Sequence, residues 1–317
     1  MVRVYALVNS RFANRILPVY AALAILIPAI AVPAAAGEGR VLTLGRITQE
    51  PGKNIERLNA MASYLETALA ADGIEAVNVV IADTPETMGM MLRNGKVDFF
   101  SETPFISLDL IEDGLAEPLM REWKKGVAEY HTVIIARRDG AVRSLADLPG
   151  RKFAFEDMGS TSGYLLPRAA LEAANLSLRK LDNPRSAVPA GQVGYSFANG
   201  EINVVAWVNR GLADAGAISN IDWESKEKAP ERLKATLTVI HETQPVIRSM
   251  MMVRSGLEPD VKQRLASVLS LMHETPDGEA ALRRYFNVSR YDSLDGNAAV
   301  GMEAARVAWR RSKGWTE

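Results

Sequence analysis

The sequence predicts an α/β fold made of two successive strand–helix series, and three observations carry that prediction. β-type runs alternate with helical runs from residue 40 onward, the alternation restarts near "EYHTVIIARRDG", and "TLTVIHETQPVIRSMMMVR" reads as a return crossing followed by another strand. Strand–helix alternation at this rhythm makes a largely parallel sheet with helices on both faces.

In the first series, "RVLTLGRI" (residues 40–47) reads as a strand, and Ile55, Leu58, Met61, Leu65 and Leu69 then recur at helical spacing. "VNVVIA" (77–82) is a second strand. Thr84 stands at an N-cap, Pro85 at the first helical position and Gly95 just past the end. "KVDFFS" (96–101) is a third strand, and Thr103-Pro104 opens the next helix with the same cap pattern. The second series holds the β-branched run at 133–136, "RKFAFED", "QVGYSF" (192–197), the helical "INVVAWVNRG" and "ADAGAIS" (213–219). "ESKEKAPERLK" is charged and loop-prone, Met250 to Met252 continue a buried strand, and the C-terminal segment is helical.

Residues 1–36 carry Arg3, Arg11 and Arg15, then an apolar run from about Ile16, and close on Ala34-Ala35-Ala36. That order matches a secretory signal cleaved near Ala36. The rival reading is a membrane anchor, since the run approaches the roughly 20 residues that span a bilayer; Pro18, Pro28 and Pro33 and the small-residue exit favour cleavage. The chain has no cysteine, which excludes a lipid-anchored cysteine, disulfides, thiolate metal sites and a cysteine nucleophile. Without residues 1–36, 34 Lys and Arg face 38 Asp and Glu, a net charge of about −4 with no basic stripe, which argues against nucleic acid. The remaining length, about 280 residues, predicts two domains. His131, His241 and His273 are too scattered for a local metal motif, and nothing in the sequence predicts a cofactor.

The stretch "FEDMGSTSGYLLPRAAL" (155–171) concentrates the chemistry. Ser160 is placed to cap a helix, and the amides of Thr161, Ser162 and Gly163 would be among its orphan donors. Free amides and the helix dipole suit an anion without any basic residue. The competing reading is a cap and nothing more. Pro167 lacks the amide a continuous helix needs, so the first turn is expected to be separate. "GSTSG" fails as a nucleophile elbow because Thr161 stands where the serine belongs.

Three segments, "LRNGKVDFFSETPF", "SLADLPGRKFAFEDMGSTSGYLLPRAAL" and "VAWVNRGLADAGAISNIDW", resemble in order and spacing the periplasmic solute-binding proteins of the phosphate/phosphite/phosphonate ABC-transporter family. The resemblance covers roughly residues 40–290. It implies a two-lobe type II periplasmic-binding-protein fold: two mixed, mostly parallel sheets flanked by helices, two hinge crossovers and an interlobe cleft. Lobe 1 would comprise residues 37–130 with 242–317, and lobe 2 residues 131–241. It also makes the Ser160 motif the place where the oxyanion is gripped.

Other cleft candidates follow from the rule that ligands sit beyond the carboxyl ends of parallel strands. Ser101, Glu102 and Thr103 end one strand, and Gln49 follows another. Tyr130 lies near the crossover and resembles an aromatic kept there by the family. Glu102 stands where the family usually has a small residue, with Arg46 as one possible partner. Glu201 stands where the family frequently has histidine, with Asn203 two residues on as a substitute donor. Both departures add negative charge near the expected anion, so a zwitterion fits better than a bare phosphonate. Asp98 and Asp214 read as braces at strand starts, and Trp207 as core.

The reading is an exported, non-enzymatic receptor that captures a small anionic or zwitterionic ligand by lobe closure. Its partner is a membrane ABC permease, and a monomer is expected. A ligand-sensing accessory of a membrane histidine kinase is the alternative, and an enzyme on the same fold comes third.

Overall fold

The structure is a computed structural model and describes residues 39–314. The expected export signal lies outside them. The first sheet opens with β1 (Arg40–Ile47), α1 (Pro51–Leu69), β2 (Ile74–Ala82), α2 (Pro85–Arg93), β3 (Phe99–Glu102), α3 (Pro104–Glu112) and β4 (Ala116–Lys124). Each of these helices has proline in its first turn, where the missing amide would have had no partner. Thr84 caps α2 by accepting the Thr87 amide at 3.2 Å. Strand β4, "AEPLMREWK", mixes charges and a proline into its run. Its sequence alone did not mark it as a strand.

The chain then passes through β5 (Glu129–Tyr130) into β6 (Thr132–Arg137), β7 (Lys152–Phe155), α4 (Leu166–Ala173), β8 (Ser177–Lys180) and β9 (Gln192–Phe197). Next come α5 (Glu201–Asn209), β10 (Ala215–Ser219), α6 (Asn220–Glu224), α7 (Glu231–Lys234) and β11 (Leu237–Glu242). It returns through β12 (Val246–Ile247) and β13 (Met250–Arg254), and ends with α8 (Pro259–Leu271), α9 (Pro276–Arg284), β14 (Val288–Asp292) and α10 (Gly296–Ser312).

Two six-stranded sheets result, ordered β14-β4-β13-β3-β1-β2 and β11-β6-β10-β7-β9-β8. In the first, β1 to β4 run one way while β13 and β14 run against them. In the second, only β6 is reversed. The outward and return passes lie side by side as a two-stranded ladder, Tyr130 opposite Val246. The strands therefore deliver their carboxyl ends to one edge of each sheet, which is where a ligand site is expected.

Packing follows from side-chain alternation. Met251 enters the layer under α1, α8 and α9, while Met250 and Met252 enter the opposite layer with α2, α3 and α10. That second layer also takes in Leu165, Leu166 and Ala169 from the start of α4, so the two sheets share packing where they meet. The two strand-start aspartates are braces: Asp98 accepts the Thr43 amide at 2.9 Å and Asp214 the Lys152 amide at 2.8 Å. No helix of the described residues is long and apolar enough to cross a membrane.

Candidate functional site

Strand β7 ends at Phe155, and the chain turns through Glu156 to a five-residue π-type turn, Thr161–Leu165, before α4 begins. Pro167 accounts for this separate first turn, as the sequence predicted. In π geometry the Ser162 carbonyl would accept from residue 167, which has no amide hydrogen. The Thr132 hydroxyl fills that place, donating to the Ser162 carbonyl at 2.7 Å.

Ser160 is the N-cap. Its hydroxyl accepts the Gly163 amide at 2.9 Å and donates to Glu156 Oε2 at 2.7 Å, so both roles of the group are in use. The Gly163 amide is therefore paired, whereas the amides of Thr161 and Ser162 have no acceptor among the described residues. Gly163 is needed because Glu156 lies over it: an added Cβ would stand 2.4 Å from both Cβ and Oε2 of Glu156.

The turn meets the first sheet directly. The Phe105 amide, in the first turn of α3, donates to Thr161 Oγ1 at 3.1 Å. Buried Tyr130 lies close to Thr161 and Ser162, and burial pushes its hydroxyl pKa well up. Thr161, Ser162, Gly163 and Tyr130 thus share one junction. Thr103 occupies the N-cap position of α3 but its side chain makes no cap bond; Glu102 Oε1 accepts the Thr103 amide at 2.7 Å instead. Glu102 does not pair with Arg46, which donates to the Ser101 carbonyl at 3.1 Å.

Three other predicted residues are placed differently from the junction. The Ser101 hydroxyl donates to buried Glu122 at 2.6 Å and accepts from Tyr285 at 3.0 Å, inside a closed polar network. The exposed Asn203 turns its amide back onto the carbonyls of Ala198 and Asn199, at 2.9 and 3.3 Å. Gln49 is exposed on the loop after β1.

Carboxylates gather at the same edge of the second sheet. Glu156 follows β7, Glu201 begins α5 after β9, and Asp222 lies in α6 after β10. Burial, then the nearby Glu201 charge, push the Glu156 pKa up to about 8. Burial, partly offset by the Ser219 hydroxyl, and then Glu201 raise that of Asp222. Lys228 Nζ pairs with Glu201 at 3.1 Å, and Arg248 carries positive charge close to Asp222 and Tyr130. No group of three His, Asp or Glu among the described residues is arranged to hold a metal. Glu156 and Asp222 were missed as site residues because each looks like an ordinary turn carboxylate. The signal that could have found them is their position just past strand ends.

The arrangement suits solute binding: free amides, a phenol and hydroxyls converge, beside carboxyls that take part in the charge balance. Comparison with known proteins agrees. The family described as "ABC transporter, phosphonate, periplasmic substrate-binding protein" matches residues 45–299. The structure of XAC2383 from Xanthomonas citri bound to ATP is similar at 32% identity, covering 87% of this chain and 99% of that one with a TM-score of 0.81. The same protein bound to chloride ion gives 33% identity, 86% and 98% coverage, and 0.81. PhnD1 from Prochlorococcus marinus, in complex with methylphosphonate, shares the type II periplasmic-binding-protein fold at 18% identity, 87% and 99% coverage and a TM-score of 0.61. With a family match running through most of its length, the chain belongs to the periplasmic substrate-binding proteins of the phosphonate ABC-transporter family.

Proposed function

We propose that the protein is an exported receptor that captures a small phosphoryl-bearing anion or zwitterion between two lobes and hands it to a membrane ABC permease. Lobe 1 comprises residues 37–130 and 242–317 and lobe 2 residues 131–241, with cleavage of the signal near Ala36 and a monomeric mature chain. The observation that carries the reading is the pair of unpaired amides at Thr161 and Ser162, at the mouth of a helical segment pressed against the start of α3. Such amides and the local dipole favour an anion. The relatives bound to ATP, chloride and methylphosphonate point the same way. The neighbouring Glu156, Glu201 and Asp222 favour a ligand that also carries an ammonium group. Closure brings Tyr130 and α3 against the turn and removes water from the contact, so each lobe alone binds poorly.

Replacing Ser160 and Thr161 together by alanine removes the cap and the Phe105 contact that hold these amides in place. Calorimetry with methylphosphonate, phosphate and 2-aminoethylphosphonate should show affinity for the best of them falling at least about tenfold, ~1.4 kcal/mol. Unchanged affinity would refute the amide cradle. Native mass spectrometry of protein purified gently from periplasm identifies the ligand it carries.

A further inference from the structure

A second set of charges lies at the ligand-facing edge of the first sheet. Arg46 is near the end of β1, Lys124 ends β4, and Phe286 precedes β14, which runs against β4 and so begins at that same edge. Three cations converge on the Phe286 ring: Arg46 at 4.6 Å from the centroid, Arg57 at 5.3 Å and Lys124 at 5.5 Å.

None of the three has an ion-pair partner among the described residues. Arg46 Nε is buried without a hydrogen-bond partner, and burial holds the Lys124 pKa below its ordinary value. Arg248, whose guanidinium bonds the Lys124 carbonyl, adds a fourth positive charge. The carboxylates nearby are Glu102 and Glu122, both buried and both engaged: Glu102 with the Thr103 amide, Glu122 with the hydroxyls of Ser101 and Tyr291. Four cations against two carboxylates leave a surplus of positive charge. A ring attracts a cation by about 0.5–2 kcal/mol, while like charges a few ångströms apart near a protein surface repel by about as much or more. Packing on Phe286 therefore does not by itself explain gathering three. Arg57 also lines a surface pocket of about 620 Å³, together with Glu56, Asn59, Ser63 and Arg284.

We propose that Arg46, Arg57 and Lys124 around Phe286 form a second anion subsite, so that the captured solute is a polyanion of the di- or triphosphate class. The inference rests on the receptor reading above only for the first anion position, at the Thr161 and Ser162 amides. Ser101, whose carbonyl holds Arg46, and Phe105, whose amide meets Thr161, are four positions apart in the chain. Even fully extended they span at most about 14 Å, which one molecule can bridge.

The test is calorimetry of the mature protein with inorganic phosphate and with tripolyphosphate at constant ionic strength. The wild type should bind tripolyphosphate at least about tenfold more tightly than phosphate. Arg46→Gln with Lys124→Met should remove most of that preference while phosphate affinity changes less than about threefold. A double variant that keeps the preference overturns the proposal and leaves the amide cradle untouched. Where the double variant does not fold, the exposed Arg57→Gln carries the test: a loss of about threefold in the preference supports the subsite, and parental binding of both probes overturns it. If the wild type binds tripolyphosphate but not phosphate, and the double variant loses it, the cradle fails and the Phe286 subsite stands. If the wild type binds neither, both fall.

Discussion

Glu156 is the residue on which the charge of the site turns. Its carboxyl stands over Gly163 and bonds Ser160, next to the unpaired amides, and its pKa of about 8 keeps it largely neutral at pH 7. The native state therefore holds a proton that the unfolded chain releases near 4.5, so the stability this group contributes is lost as pH rises from about 4.5 to about 8. Glu156→Gln keeps an acceptor for Ser160 and removes this group's part of the slope, leaving that of Asp222. Thermal melts of parent and variant should coincide near pH 4.5 and diverge by pH 8.5, the variant melting higher by about 2–4 °C per kcal/mol. A gap that stays constant across that range would contradict the assignment. Anion affinity in the parent should weaken as pH passes 8, because an ionised Glu156 beside these amides repels the incoming negative charge.

The element at the centre of the proposed site is the π-type turn with the start of α4. Side-chain hydroxyls hold it at three points: Ser160 under Gly163, Thr132 on the Ser162 carbonyl and Thr161 on the Phe105 amide. Gly163→Ala puts a methyl group against Glu156 Cβ, close to the backbone where little can give. Urea unfolding should register a loss of about 1–3 kcal/mol. Replacing Glu156 by glycine in the same chain should recover much of it. A Gly163→Ala protein as stable as the parent would mean that Glu156 does not occupy this position. Glu102 belongs to the facing element, where its carboxylate accepts the Thr103 amide just before α3, while Thr161 accepts the Phe105 amide in the first turn of that helix. Glu102→Gly removes a buried carboxylate near the proposed anion, and thermal-shift profiles should move toward simple phosphonates and phosphite. Profiles indistinguishable from the parent would place Glu102 outside the site.

At the scale of the whole molecule, the two sheets are joined by adjacent passes at β5 and β12, and Tyr130 lies in that ladder while touching the ligand turn. The proposed opening would therefore be accommodated around Tyr130, and would part Thr161 from Phe105 and the α4 residues Leu166 and Ala169 from the first sheet's core. That shared packing favours closure, and a ligand contributes the rest. Small-angle scattering should show a smaller radius of gyration at saturating ligand than in protein stripped of it. Coincident curves would exclude closure as the mode of capture.

Local order was legible in the sequence because it depends on residues close together. Helical spacing marked α1, Thr84 and Ser160 announced their caps, Pro167 announced the separate first turn, and Asp98 and Asp214 announced the strand braces. The motif around Ser160 also carried the family resemblance. Strands β4 and β14 were not legible, since charged residues interrupt their apolar positions and those charges meet only across the sheet, as Arg121 meets Asp292 at 2.7 Å. Nor could the sequence say that the hydroxyl of Ser101 and the amide of Asn203 are spent on other partners, or that Glu156 covers the turn. The convergence of Arg46, Arg57 and Lys124 on Phe286 was hidden for the same reason. Hydrogen bonding within a turn is a matter of neighbours, whereas desolvation and charge balance depend on distances between strand ends far apart in the chain. Those distances exist only once the sheets are assembled.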